Sequence, residues 1–230
     1  MTLQGQAATA GALPGALPHP RPGGPARESV VRDLRGVARR GGPRVSRLDF
    51  AAGDVVVVSG LPGSGKSTLI RRAVQGHAVD SQDTRDRWAA ALPWFIPYAL
   101  YRPLVRAAHF AGLRRRLRSG ASVVVHDCGT QAWVRRWLVR EARRRGGDLH
   151  LVLLDVTPGV ARQGQRERGR RVSGYAFARH RRAFARLLRD TETGLLPPGC
   201  ASAVLLDREA ASGIGRISFP GAGLPQGQVP

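Results

Sequence analysis

Short apolar runs alternate with amphipathic segments along most of the chain. Five runs rich in Val, Leu and Ala are continuous enough to predict buried strands, at residues 54–59, 77–80, 122–127, 149–156 and 201–206. Between them, apolar residues recur at helical spacing and predict helices at 66–74, 84–92, 103–117, 131–145, 158–168 and 175–189. This alternation predicts an α/β fold in which a doubly wound parallel sheet lies between layers of helices.

A further helix is predicted ahead of the first strand. Val30, Val31, Leu34 and Val37 recur at a spacing that places them on one face of a helix over residues 27–40. Polar residues occupy the other positions, so the segment predicts a short amphipathic helix.

The two ends of the chain are richer in Gly, Ala and Pro than its centre. Residues 1–27 lack periodic apolar positions and are predicted to be disordered, and residues 219–230 are predicted to form a flexible tail. Residues 28–218 remain as a single domain, long enough for one hydrophobic core but hardly for two.

The apolar residues predict neither a membrane span nor an exported protein. No run of about 18 apolar residues lacks a charge, and the first residues carry no basic segment ahead of an apolar one. Cys128 and Cys200 are too few for a disulfide framework or a zinc site built from cysteines. These features predict a cytoplasmic protein with free thiols and no stable membrane insertion.

Basic residues strongly outnumber acidic ones. The chain has 37 Lys and Arg against 16 Asp and Glu, for a formal net charge of +21. Because Ala, Gly and Pro are also abundant, part of this excess reflects a compositional bias, and nucleic acid stays open as a partner. Lys66 is the single lysine of the chain, which indicates a position where the compact ammonium is chemically required.

That lysine lies in a glycine-rich segment between a predicted strand and a predicted helix. The sequence GLPGSGKST, from Gly60 to Thr68, fits the pattern G-x-x-x-x-G-K-[ST] of a phosphate-binding P-loop. Glycines let backbone N–H groups turn toward phosphate oxygens, and the helix N-terminus adds its positive dipole end. The residues predicted to bind nucleotide are Gly60, Gly63, Ser64, Gly65, Lys66, Ser67 and Thr68.

The motif also assigns roles within the predicted site. Lys66 is expected to reach the β- and γ-phosphates of ATP, and the Ser67 hydroxyl is expected to bind Mg²⁺. A carboxylate at a strand end commonly completes such a metal site. Asp127, at the end of the third predicted strand, is preferred for this role over Asp155 at the end of the fourth.

Two absences narrow the class of nucleotide-binding protein. The chain has no Asn and no second Lys, so the N/T-K-x-D motif of guanine recognition is missing and ATP is predicted. Neither Asp127 nor Asp155 is followed by a second acid that could polarise a hydrolytic water. Transfer of the γ-phosphoryl group to a bound hydroxyl is therefore favoured over hydrolysis.

Candidate acceptor residues follow the second predicted strand. Because the carboxyl ends of parallel strands face the ligand crevice, Asp83 is predicted as the base for the acceptor hydroxyl and Arg85 as a clamp on an anionic part of the acceptor. Asp80 is the alternative base. Asp83 is equally suited to be the N-cap of a helix that begins at Thr84.

Two further features leave alternatives open. Residues 162–189 carry ten arginines and one acid, which fits a lid over a triphosphate, a solvated face or a groove for nucleic-acid phosphates. Aromatic residues between the second and third strands fit the core of a helical acceptor subdomain at 84–118 better than a stacking surface. They are Trp88, Trp94, Phe95, Tyr98 and Tyr101.

With these segments in view, the chain resembles the P-loop kinases that include polynucleotide 5′-hydroxyl kinases, gluconate kinase-like enzymes and zeta toxins, often labelled AAA-type ATP-binding proteins in bacteria. The resemblance runs from about Asp54 to Leu206, and rests on the GLPGSGKST loop, the D-x-R element at Asp83 and an Asp-Cys-Gly-Thr turn after the third strand. It implies a five-stranded parallel sheet in the order 2-3-1-4-5 with an arginine-rich lid. The lid arginines implied as catalytic are Arg162 and Arg166, with Arg168 and Arg170 next.

The sequence therefore predicts a kinase that transfers the γ-phosphoryl group of Mg·ATP to a hydroxyl of a small molecule or a polynucleotide. The chain departs from the family pattern at Gln82, where many relatives carry the acceptor aspartate. The alternative is a nucleotide-gated ATPase or binding module that docks on nucleic acid or a partner protein without phosphorylating it.

Overall fold

A computed structural model describes residues 30–74, 78–79, 98–127, 132–169 and 172–220. Its strands are β1 (Val30–Asp33), β2 (Arg47–Asp49), β3 (Val55–Gly60), β4 (Ala78–Val79), β5 (Val123–Asp127), β6 (Leu149–Leu154), β7 (Cys200–Leu206) and β8 (Arg216–Ser218). Its α-helices are α1 (Lys66–Ala73), α2 (Tyr98–Arg118), α3 (Ala132–Arg144), α4 (Pro158–Glu167), α5 (Gly174–Glu192) and α6 (Arg208–Gly213). A short 3-10 turn covers Ala38–Arg40.

The central sheet has the predicted parallel order with one strand added. Its six strands follow each other as β1-β7-β6-β3-β5-β4. The five predicted strands correspond to β3, β4, β5, β6 and β7, and they occur in the predicted order 2-3-1-4-5. The α/β P-loop fold with a parallel sheet is thus confirmed, and β1 extends the sheet beyond β7.

The prediction of a helix over residues 27–40 is wrong in the part that the structure describes. Val30 pairs with Ser202 and Asp33 with Leu205, so the segment forms a strand parallel to β7. The physical reason is that β7 would otherwise be an open edge with unpaired backbone groups, and adjacent β-branched valines fit a pleated edge. Gly36, at φ +63°, then turns the chain away from the sheet.

The sheet interior accounts for the continuous apolar runs. Every residue of β3 and of β6 is buried, because helices cover both faces of these central strands. The helices instead bury one stripe each, and α3 does so with Val134, Leu138 and Ala142. The layered arrangement therefore explains both patterns: apolar residues recur every 3.6 positions in the helices and are continuous in the central strands.

The predicted helices are largely confirmed where the structure describes them. The helix predicted at 103–117 lies within α2, which begins earlier, and the helix predicted at 84–92 lies outside the described residues. None of the described helices is long and apolar enough to cross a bilayer.

The described residues also form a second sheet of two strands. Parallel strands β2 and β8 pair through Leu48 and Ile217, both of which are buried. The rings of Phe50 and Phe219 follow these strands and pack 6.1 Å apart between centroids. Phe219, the first residue of the predicted C-terminal tail, is therefore part of the packed core.

Candidate functional site

The glycine-rich segment forms a tight loop between β3 and α1. Gly60 is the last residue of β3, and Lys66 is the first residue of α1. Gly63 and Gly65 have φ angles of +87° and +98°, in the left-handed region that side chains rarely tolerate. Gly65 is also the N-cap of α1, so the first N–H groups of this helix face the loop. The strand–loop–helix arrangement that the motif requires is present.

The single lysine is folded into this loop. Only 3% of Lys66 is exposed, and its Nζ donates to the carbonyl oxygens of Gly60 at 2.8 Å and Leu61 at 2.7 Å. The Ser64 hydroxyl lies 3.4 Å from the same nitrogen. These contacts hold the ammonium inside the ring of loop atoms, where a phosphate bound by the loop would meet it.

Serine hydroxyl groups and the backbone of a strand-end aspartate lie next to the loop. Ser67 and Ser59 are both buried. Among the described residues the Ser59 hydroxyl has no hydrogen-bond partner, which is unusual for a buried polar group. Asp127 pairs with Ser59 in the β3–β5 register, so the backbone of Asp127 lies beside the start of the loop. Hydroxyl and carboxylate oxygens are the donor types that Mg²⁺ prefers, and a metal bound by Ser67 and Asp127 stays a prediction.

The other candidate carboxylate, Asp155, is engaged elsewhere. Its Oδ2 accepts a hydrogen bond from Arg35 at 2.8 Å, and Arg35 also binds Glu192 at 2.7 Å and Asp33 at 2.7 Å. The hydrogen bonds from Arg35 hold the pKa of Asp33 below its ordinary value, and the pKa of Arg35 is raised by the same carboxylates. Arg35 therefore joins Asp155, which follows β6, to Asp33 of β1 and to Glu192 at the end of α5. The preference for Asp127 at the metal position stays a prediction.

Helix α4 packs directly on the phosphate loop, a contact that the motif does not reveal. A Cβ on Gly63 would overlap the carbonyl oxygen of Ala161, and a Cβ on Gly164 would lie 2.5 Å from the carbonyl oxygen of Gly63. Both glycines are thus needed for the close approach of two backbones. Gly164 and the helix face around it had no signal in the sequence beyond their place after the fourth strand.

Gln165 fixes this contact with two hydrogen bonds. It is 9% exposed, its Nε2 donates to the Pro62 carbonyl at 3.0 Å, and its Oε1 accepts from the Val172 N–H at 3.1 Å. The side chain therefore connects the phosphate loop to the segment that leads into α5. A glutamine among many polar residues of a predicted helix could not have been singled out from sequence.

The predicted lid arginines occupy different positions in the structure. The guanidinium of Arg162 stacks over the Phe177 ring at 5.1 Å from its centroid, and Arg166 is exposed on α4. Arg168 donates to the Thr68 hydroxyl at 3.1 Å and so contacts the phosphate loop directly. Arg170 lies outside the described residues.

A cleft of about 280 Å³ opens beside the phosphate loop. It extends from the loop residues 63–65 past Thr68 to Arg168 on one side and to Arg208 and Ser212 on the other. Helices α1, α4 and α6 form its walls. Basic side chains and helix ends surround it, so the cleft is suited to an anionic ligand continuous with one in the loop.

The acceptor residues predicted from the sequence cannot be placed. Asp80, Asp83 and Arg85 lie outside the described residues, as do Trp88, Trp94 and Phe95. Tyr98 and Tyr101 lie in the first turns of α2. Asp83 and Arg85 stay predictions.

Comparison with known proteins assigns the family. A family model described as an AAA domain matches residues 55–192, more than half of the chain. The chain belongs to this AAA domain family. The matched region of the AAA domain runs from β3 to the end of α5 and includes the phosphate loop, α4 and Gln165. No curated protein sequence matches the chain.

Solved structures resemble the AAA domain in fold. A chain of the PezAT chromosomal toxin–antitoxin system of Streptococcus pneumoniae has a TM-score of 0.51, at 14% identity over 68% of each chain. A gluconokinase from Sinorhizobium meliloti has a TM-score of 0.40, at 20% identity over 71% of this chain and 92% of its own. The tunicamycin resistance protein of Deinococcus radiodurans has a TM-score of 0.36, at 15% identity over 70% and 88%. The α/β fold implied by the sequence resemblance is confirmed by the likeness to the PezAT chain.

Proposed function

We propose that the protein is an ATP-dependent phosphotransferase that moves the γ-phosphoryl group of Mg·ATP to a hydroxyl of a small molecule or a polynucleotide. The observation that carries the proposal is the phosphate loop with Lys66 inside it. The only lysine of a chain with 37 basic residues donates to the carbonyl oxygens of Gly60 and Leu61 at the N-terminus of α1. A generic positive charge elsewhere in this protein is supplied by arginine.

The loop would bind the triphosphate through its backbone. The N–H groups around Gly63 and Gly65 and the first turn of α1 would donate to phosphate oxygens, and Lys66 would rotate from its carbonyl partners to the β- and γ-phosphates. Ser67 and Asp127 are the residues that would hold Mg²⁺. When bound, the metal neutralises charge on the β- and γ-phosphates and so lowers the barrier to transfer.

The cleft beside the loop would receive the rest of the nucleotide. A nucleotide whose phosphates occupy the loop would extend past Thr68 toward α6, between Arg168 and Arg208. Because Arg168 already contacts Thr68, its guanidinium is placed to meet a nucleotide bound beside the loop. Arg162 and Arg166 remain the arginines proposed to stabilise charge during transfer.

The chemical step would be an in-line displacement at the γ-phosphorus. The acceptor oxygen forms a bond to phosphorus while the bond from phosphorus to the β,γ-bridging oxygen breaks, and ADP leaves. The proton of the acceptor hydroxyl passes to the carboxylate proposed as base, Asp83, and Arg85 would hold an anionic part of the acceptor. ATP as donor agrees with the cytoplasmic location predicted from the sequence.

The test is transfer of label from γ-labelled ATP into a fractionated cell extract. Wild type is compared with Lys66→Ala, Asp127→Asn and Asp83→Ala, and Asp155→Asn serves as the matched control because its carboxylate binds Arg35. Label is expected on an extract component with wild type and Asp155→Asn, and transfer is expected to fall by about 100-fold or more in the other three.

Each other outcome changes a specific assignment. Transfer lost in Lys66→Ala but kept in Asp83→Ala would remove Asp83 as base and direct attention to Asp80. Transfer kept in Asp127→Asn but lost in Asp155→Asn would exchange the two metal assignments. ATP binding with release of free phosphate only, or with no turnover, would reject the phosphotransferase and favour the nucleotide-gated module.

A further inference from the structure

A second cleft lies between helices α2 and α3, away from the phosphate loop. It encloses about 630 Å³ and is lined by Phe110, Ala111, Arg114, Arg115, Arg118, Trp133 and Trp137. None of these residues lines the cleft beside the loop. The walls combine aromatic rings with guanidinium groups, and neither the family match nor the proposed reaction gives them a role.

The aromatic residues form one contiguous surface. The Phe110 ring lies 5.4 Å from the Trp133 ring and 6.1 Å from the Trp137 ring, measured between centroids. Phe110 and Trp137 are half-buried against the core, which fixes the orientation of the cluster. Trp133 packs on them yet remains 51% exposed, in contrast to the extensive burial that tryptophan usually has. One face of a rigidly supported indole is therefore offered to solvent.

The charges around this surface are of one sign. Helices α2 and α3 together contain eleven arginines and one glutamate, Glu141, which pairs with Arg144. Arg114, Arg115 and Arg118 are exposed and form no ion pair with a carboxylate in the described part of the chain. Three cations without counter-charge next to a supported indole favour a ligand that is both anionic and planar.

We propose that this cleft, defined by Phe110, Trp133, Trp137 and the three arginines, binds single-stranded nucleic acid. A base of the strand stacks on Trp133, and neighbouring phosphates lie against Arg114, Arg115 and Arg118. Every base offers a planar face, so stacking of this kind is tolerant of sequence, and arginines along one edge follow the backbone. Duplex bases are stacked on each other and cannot present that face, so the cleft discriminates against double strands.

The proposal does not depend on the proposed phosphoryl transfer, because binding needs no ATP and no loop residue. It also differs from a generic attraction of a basic protein for polyanions. Helix α5 is comparably basic and carries Tyr175 at 81% exposure, but no aromatic pair that involves Tyr175 occurs among the described residues. Tyr175 therefore lacks the aromatic support that Phe110 gives Trp133, and α5 supplies matched control positions.

The experiment measures fluorescence anisotropy of a labelled oligothymidine strand with the full chain in the absence of ATP. Trp133→Ala is expected to weaken binding by about 5- to 50-fold, Trp133→Phe by less, and Tyr175→Ala by less than about twofold. The double variant Arg115→Gln/Arg118→Gln is expected to lower the slope of log K against log salt by about 1.4, since each phosphate contact contributes about 0.7 on a single strand. Arg181→Gln/Arg182→Gln on α5 is its control.

Inorganic polyphosphate serves as a polyanion without bases. The proposal expects Trp133→Ala to weaken oligothymidine binding and to leave polyphosphate binding unchanged. Circular dichroism checks that Trp133→Ala is folded as wild type is. Equal loss for both polyanions, equal binding of duplex and single strand in wild type, or equal effects of Trp133→Ala and Tyr175→Ala would each overturn it. If Trp133→Ala fails to fold, Trp133→Phe decides: it is expected to weaken oligothymidine binding and leave polyphosphate binding unchanged, and an equal change for both polyanions would overturn the proposal.

Discussion

The two ends of strand β3 differ in how far their buried polar groups are hydrogen-bonded within the protein. At the amino end, Asp54 accepts hydrogen bonds from the Ala51 N–H at 2.7 Å, the Asp148 N–H at 2.8 Å and the His150 ring at 2.9 Å. The other ring nitrogen of His150 lies 2.8 Å from the Ser202 hydroxyl. These three residues are at most 5% exposed, so the amino-end network, Asp54, His150 and Ser202, is buried and satisfied within the protein.

At the carboxyl end of β3, the loop backbone is strained and the polar groups are not all paired among the described residues. Two loop glycines are in left-handed conformations, Lys66 donates to carbonyl oxygens, and the Ser59 hydroxyl has no partner in the described part of the chain. Buried polar groups stabilise a fold when they are all paired, and strained or unpaired groups persist where function requires them. The amino end of the sheet is thus organised for stability and the carboxyl end for ligand binding.

The largest expected effect comes from the amino-end network. Asp54→Asn replaces an oxygen that accepts bonds with an amide that donates, leaving buried N–H groups unpaired, and should lower the free energy of unfolding by about 3 kcal/mol. Urea denaturation measures the change. Asp155→Asn at the carboxyl end, whose side chain is 33% exposed, should cost less than about 1 kcal/mol. Equal losses would contradict the contrast between the two ends.

The next effect is at the carboxyl end, where a substitution should lower activity strongly and stability little. Lys66→Met keeps the apolar stem but removes the ammonium, so phosphoryl transfer should fall by about 100-fold or more. The free energy of unfolding should change by less than about 1 kcal/mol, because carbonyl oxygens released at the loop mouth can bind water. Both quantities are measured on one preparation. A loss of stability as large as that of Asp54→Asn with transfer intact would be incompatible with a functional loop.

A smaller effect tests the attachment of α4 to the loop. Gln165→Ala removes the bonds to Pro62 and Val172, and nucleotide affinity should fall by about tenfold because the loop loses its support. A fluorescent ATP analogue gives the dissociation constant. Thr193→Ala, which removes an exposed hydroxyl bonded to the Asp190 carbonyl and does not line the cleft beside the loop, should change it by about twofold or less. Indistinguishable variants would show that Gln165 supports only the helix.

The smallest effect concerns Cys200, at the amino end of β7. Burial raises the pKa of this thiol to about 12, so the native state keeps its proton where the unfolded chain has lost it. The contribution to stability is therefore complete below the ordinary thiol pKa and declines as pH rises toward 12, by up to about 1.4 kcal/mol per pH unit. Unfolding of wild type and Cys200→Ala at pH about 8 to about 10 should show a steeper decline in wild type. Parallel pH profiles would contradict it.

Particular residues show how far sequence reasoning reached. The runs that became β3, β5, β6 and β7 are continuous because strands covered on both faces need no polar positions, and this signal is local. The phosphate loop is equally local, since its left-handed glycines, its lysine and its hydroxyls are contiguous. The strand order and the arginine-rich segment after the fourth strand came from family resemblance.

Other features could not be predicted because they depend on which segments meet. Val30 and Val31 fit a helix and a strand equally well at the local level, and the open edge of β7 decided for the strand. Gln165 acquires its role only when α4 lies on Pro62, and Arg35 acquires its role only beside Asp155.

The sequence by itself determined the layered parallel fold and the phosphate loop, because hydrophobic periodicity and backbone conformational preference act over a few neighbouring residues. Tertiary structure alone decided the sixth strand, the hold of α4 on the loop, the satisfied network at Asp54 and the aromatic cleft of Trp133. Each of these joins residues far apart in the chain, and hydrogen bonding or packing between distant segments is set by the geometry of the assembled layers.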